Sequence, residues 1–205
     1  RRDTLAGLGL SYKDLEKLNP RLIYAGISGF GDKGPYKDLP GQDMQVQAMS
    51  GILSITGYPD RGSTPIGTMI GDSASGIITA FAIVSALYNR DRTGKGQEIS
   101  NSLLGSTLAL QPATIGHYLG TRQLPPKLGM RSYLPPQYGI WGCKDGKELA
   151  LSNYRDIHWP QFCVALDRPH LVDDPRFDTL VKRRENRDAL TPLIEEAMLE
   201  RDRDE

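Results

Sequence analysis

Residues 65 to 87, PIGTMIGDSASGIITAFAIVSAL, contain a single charged side chain, Asp72, in an otherwise apolar and small-residue run. This run is the strongest constraint on the fold. It predicts a long helix from Asp72 to Asn89, with Ile77, Ile78, Phe81, Val84, Leu87 and Tyr88 forming a wide apolar face. RDRTGKGQ follows it with cations and glycines, the residues that helix C-termini prefer. The residue preceding SASGIITAF is placed to act as an N-cap, so Asp72 has a purely structural reading. The same geometry has a chemical reading. Unpaired N–H groups and the positive end of the helix dipole favour an ionised carboxylate and can hold a negative group near it. Small neighbours (Gly67, Gly71, Ser73, Ala74, Ser75, Gly76) leave the carboxylate accessible, and a carboxylate so held is a usable nucleophile toward an activated acyl group.

Around this helix, SYKDLEKLNPR predicts a short helix with Ser11 as N-cap, and LIYAGIS a buried strand ended by Gly29 and Gly31. GDKGPYKDLPGQD reads as a Gly/Pro loop. MQVQAMSGILSITG begins as a helix, with Met44, Ala48 and Met49 on one side, and ends at Gly57. EIS with NSLL is strand-like, followed by a second helical stretch to about Leu119. GTRQLPPKLGMRSYLPPQYG then holds four of the fourteen prolines and reads as a linker. YGIWGCKDGKELALS predicts a hairpin turning at KDGK, and the remainder reads as short helices of a second module.

Composition narrows the function classes. The 25 basic residues balance 25 acidic ones, which argues against binding nucleic acid or a membrane surface through bulk charge. No apolar run reaches the length of a membrane span without small polar interruptions. Cys143 and Cys163 are too few for a disulfide scaffold or a four-cysteine zinc site, and suit a reducing compartment. His117, His158 and His170 lack metal-ligand spacing, so no metal site is expected. Cys143 reads as a small packed thiol, Trp141 and Trp159 as core, and Arg90, Arg92 and Lys95 as solvated helix-end cations.

Four segments, LGLSYKDLEKLNPRLIYAGISGFGDKGP, PGQDMQVQAMSGILSITG, IGDSASGIITAFAIVSALYNRDRTGKGQEISNSLL and PPQYGIWGCKDGKELALS, closely resemble the class III (CaiB/BaiF-type) coenzyme A transferases, in order over nearly the whole chain. The resemblance implies an α/β fold: a large open-sheet domain joined by long linkers to a smaller α+β domain. Here that corresponds to residues 1–119 as a partial large domain, 120–137 as the linker and 138–205 as the small domain. The chain opens in RRDTLAGLGL, without Met, and stops in MLERDRDE, so it is expected to be a middle piece lacking the family's first and last parts.

In the family, the acid matching Asp72 attacks an acyl-CoA thioester, and a mixed anhydride and then an aspartyl-CoA thioester form. The helix N-terminus is expected to stabilise the developing oxyanions. The resemblance further implies substrate or CoA contacts from Gln42, Asp43, Gly71 and Arg1, with Asp43 orienting its loop. It implies no permanently bound cofactor, CoA and acyl-CoA as substrates with a small carboxylic acid, and an interlocked homodimer. The compartment expected is cytoplasmic, or a mitochondrial or peroxisomal matrix. The related acyl-CoA racemases carry His where this chain has Gln42. An amide cannot act as a general base, so racemase or isomerase chemistry is disfavoured; a non-catalytic relative is the remaining alternative. Many transferases carry Tyr there instead, another departure. No glycine run appears in KLGMRSYLPPQYG, so formyl or oxalyl specificity is not supported by that segment.

Overall fold

The computed structural model describes residues 2–205, with side chains from residue 4 onward; Arg1, named above as a CoA contact, lies outside the described residues. The chain divides into two compact units. One runs to Gly57 and from Arg61 to Lys127; the other comprises Tyr58–Asp60 and Leu128–Glu205.

In the first unit, helices α1 (Arg2–Gly7) and α2 (Tyr12–Leu18) precede strand β1 (Ile23–Ser28). Ser11 caps α2 as predicted, its side chain accepting from the Asp14 N–H. Then come α3 (Asp43–Met49), α4 (Ile52–Ile55), the long α5 (Ile70–Thr93), strand β2 (Gln97–Ser102), α6 (Leu103–Ala109) and α7 (Pro112–Thr121). β1 and β2 pair in parallel, from Ile23 opposite Gln97 to Ser28 opposite Ser102. Parallel strands need a crossover, and α5, packed on both strands and on α6, lies within it. Its C-terminus follows expectation: Gly94 adopts φ +73°, and its N–H bonds the Arg90 carbonyl.

Four details differ from the sequence expectation. The helix at 43–57 breaks at Gly51, which adopts φ +82°, and its buried face is Val46, Gln47 and Ser50, while Met44, Ala48 and Met49 are exposed. The helical stretch after β2 breaks at Leu110–Gln111, where Pro112 starts α7. On α5, the buried residues are the small ones, Gly71, Ala74, Ser75, Thr79 and Ala86, while Ile77, Phe81, Val84 and Tyr88 are exposed. Close packing on a sheet favours small side chains, so the face with the larger hydrophobic content is not the one buried against β1 and β2. By length and composition α5 is also apolar enough to cross a membrane, contrary to the expectation that no stretch is. In this structure its small face packs on β1, β2 and α6.

In the second unit, β3 (Tyr138–Gly142) and β4 (Glu148–Ser152) form the expected antiparallel hairpin, with Gly146 at φ +76° in the turn. Helices α8 (Trp159–Ala165), α9 (Leu180–Glu185) and α10 (Arg187–Leu199) complete it. Trp141, Trp159, Phe177, Leu190 and Ile194 anchor its core, so both tryptophans are core residues as predicted. Arg183 is fully buried among them, and its guanidinium donates to the Phe177 carbonyl at 2.7 Å and to Asp156, and stacks on the Trp159 ring. An arginine is tolerated there because its charge is paired with Asp156 and two of its three nitrogens have partners, Nε having none among the described residues. The class is α/β, with a parallel sheet in the first unit and a smaller α+β second unit.

Candidate functional site

Asp72 is the third residue of α5, whose N-cap is Met69. It is therefore not the cap. The capping group comes from another element: Asp43, at the start of α3, accepts the Gly71 N–H at Oδ1 (2.7 Å) and, more weakly, the Asp72 N–H (3.4 Å). The Ile70 N–H goes to the Thr68 carbonyl at 2.8 Å. These first donors of α5 are thus occupied. The expectation that they stabilise an oxyanion is corrected on that ground, although the field of the helix still favours negative charge at its first turn.

What this leaves Asp72 is exposure. Its carboxylate is exposed and makes no hydrogen bond or ion pair among the described residues. Gly71 beneath it is buried, and a Cβ there would lie 2.8 Å from Val46 Cγ2 and 3.1 Å from Asp43 Oδ1. Glycine is needed because α3 and α6 close on the helix start from both sides. Ser75 donates to the Gly71 carbonyl at 2.6 Å, and Asn101 at the end of β2 donates to Ser75 O and Thr79 Oγ1. The first two turns of α5 are thus pinned to the strand.

Gln42 stands at the N-cap of α3, with its backbone N–H donated to Gln45 Oε1 at 2.9 Å. It also lines a cavity of about 460 Å³ at the carboxyl end of β1, together with Ser28, Gly31, Asp32 and Lys37. Ligands of open α/β sheets bind outside the carboxyl ends of the strands. The loop closing this cavity returns on itself so tightly that a Cβ on Gly29 would lie 2.4 Å from Gly41 Cα. Gln42 faces the cavity and its neighbour Asp43 holds the start of α5, so the chain joins cavity and carboxylate directly. The cavity residues Asp32 and Lys37 carried no signal in sequence beyond lying in a Gly/Pro loop, and Ser28 none beyond ending the predicted strand.

Cys143 is a packed thiol, as the sequence reading expects. Cys143 and Cys163 are both buried, and burial pushes both thiols up, Cys163 to about 12. Among the described residues no cluster of three metal-ligating side chains occurs.

The description CoA-transferase family III matches residues 1–205. The chain belongs to that family. Its relatives include acetyl-CoA:oxalate CoA-transferase of Acetobacter aceti, 38% identical over 192 residues, covering 93% of this chain and 49% of the relative. Succinyl-CoA–D-citramalate CoA-transferase of Chloroflexus aurantiacus is 36% identical over 196 residues, covering 95% of this chain and 48% of that one. A solved CaiB/BaiF family protein from Brucella suis superposes with a TM-score of 0.81 at 35% identity, over 98% of this chain and 53% of that one. The family III chain described here spans about half the length of the curated relatives it matches.

Proposed function

We propose that the full-length family III protein transfers CoA from an acyl-CoA donor to a carboxylic acid, with Asp72 as covalent nucleophile. The observation that carries this reading is the exposed, unpartnered carboxylate at the first turn of α5, held by a backbone whose own donors are already satisfied. The Asp72 oxygen attacks the thioester carbonyl, the C–S bond breaks, and CoA leaves as thiolate from an acyl–aspartyl anhydride. The thiolate returns to the aspartyl carbonyl, giving an aspartyl-CoA thioester and free donor acid. The acceptor carboxylate attacks that thioester, and a second return of the thiolate yields the new acyl-CoA and restores Asp72. Each step exchanges one acyl bond for another, so no oxidant or metal is needed.

The acceptor class inferred is dicarboxylic. Relatives at 30% identity or more are named for oxalate, D-citramalate and glutarate. The relative named for oxalate brings that acid into the class despite the missing glycine run at residues 127–139. The cavity at the end of β1 is inferred to take part of the CoA ester, next to Gln42. An interlocked homodimer in the cytoplasm or an organelle matrix is the assembly that goes with this reading. Gln42 in place of a histidine speaks against racemase chemistry.

The test is incubation of the full-length protein with acetyl-, succinyl- and glutaryl-CoA, hydroxylamine trapping, and mass analysis of the peptide carrying Asp72. A hydroxamate or CoA thioester on Asp72, absent in Asp72→Asn, is expected. Solvent-deuterium exchange next to the thioester, without any adduct, would replace transfer by racemisation.

A further inference from the structure

The buried amide of Gln47 has no assigned task. It is 1% exposed, one turn along α3 from Asp43, and makes three hydrogen bonds. Its Nε2 donates to Asp43 Oδ2 at 2.6 Å and to the Thr68 carbonyl at 3.4 Å. Its Oε1 accepts the Ile66 N–H at 3.0 Å. The orientation is unambiguous, because a flipped amide would face its oxygen to the carboxylate and its nitrogen to an N–H. One side chain therefore fixes two things: the rotamer of the Asp43 carboxylate that caps α5, and the segment 66–68 that leads into α5.

Resting on the reading of Asp72 as nucleophile, we propose that Gln47 is a positioning residue for Asp72. It acts through Asp43, whose other oxygen holds the Gly71 and Asp72 N–H groups. No residue but an amide fits both demands without adding charge. An apolar side chain leaves Asp43 half-satisfied and the 66–68 segment untied, and a carboxylate faces Asp43 with like charge. Displacement of the backbone under a nucleophile by about 1 Å is enough to slow the chemical step by about 100-fold.

The experiment uses the full-length protein and compares wild type, Gln47→Leu, Gln47→Glu and Asp72→Asn by steady-state kinetics and by the rate of adduct formation on Asp72. Gln47→Leu is expected to lower kcat and the adduct rate about 10- to 100-fold, with KM for the acyl-CoA changed less than about 3-fold. Gln47→Glu is expected to be impaired at pH 8 and to recover relative to wild type toward pH 5, because the protonated carboxyl again donates to Asp43 while accepting from Ile66. The charged groups near it on the packed elements are Asp43 on α3 and Asp72 at this end of α5; α4 and α6 carry none. An adduct rate in Gln47→Leu equal to wild type overturns the positioning role. If that variant fails to fold, Gln47→Glu decides, and a ratio to wild type that stays constant with pH overturns it. Full turnover in Asp72→Asn instead overturns the nucleophile reading, independently of either Gln47 variant.

Discussion

Asp43, not Asp72, takes the capping role that local sequence suggests for Asp72. Asp72 sits where a cap is expected but lies at the third helical position, and the capping oxygen arrives from residue 43, on a helix nearly thirty residues earlier. Only Asp72 is then left free for chemistry. Gly71 is the residue on which this division depends. Gly71→Ala places a methyl against Val46 Cγ2 and Asp43 Oδ1, and is expected to destabilise the protein by about 1–3 kcal/mol. Because the same methyl crowds the cap, the yield of Asp72 adduct falls with it. Urea denaturation together with adduct trapping checks both; an unchanged midpoint and adduct yield would show that α3 gives way at no cost. The Asp43–Gln47 pair did have a sequence signal. Asp and Gln four apart on a helix form a known hydrogen-bonded pair, and DMQVQ has that spacing. Its contact with Ile66 and Gly71 had none, because those partners are brought in by the tertiary fold.

At the scale of elements, α5 shows how a hydrophobic pattern can point to the wrong face. Its existence and its glycine C-cap were legible, since a long run of helix-compatible residues ends in RDRTGKG. The buried side was not, because packing on β1 and β2 selects Ala74, Ser75, Thr79 and Ala86 over larger residues. The consequence is measurable in the 205-residue chain. Phe81→Ala, at a site 74% exposed, is expected to cost no more than about 0.5 kcal/mol. Ala86→Leu, at a site 1% exposed, overpacks the helix against the sheet and is expected to cost about 1–3 kcal/mol. Equal or reversed losses in chemical denaturation would mean that the apolar stripe is the packing face after all. The hairpin β3–β4 was legible by contrast, since KDGK flanked by alternating residues marks the turn locally.

On the scale of the whole molecule, the second unit carries the clearest pH signature. Burial raises the Cys163 thiol to about 12, against 9.0 for the free group. The unfolded chain releases that proton first, so stability is fully present below pH 9 and is lost as pH rises toward 12. Denaturation midpoints between pH 8 and 11 are expected to fall, and to fall less steeply in Cys163→Ala. Slow alkylation of both cysteines at pH 8 without denaturant is the companion result, and rapid labelling would contradict the burial. The sequence by itself determined what depends on neighbours along the chain: the Ser11 cap, the glycine stops, the KDGK turn and the segment that carries the acid; the α/β class came from the family resemblance. The tertiary structure alone decided which acid caps and which is left exposed, which face of α5 is buried, and that Gln47 ties the two carboxylates to one backbone. The buried face of α5 follows from close packing on the sheet. The other two outcomes follow from hydrogen bonds between residues 19 to 29 positions apart, where a donor's partner is set by where the sheet and helices bring the backbone, not by sequence spacing.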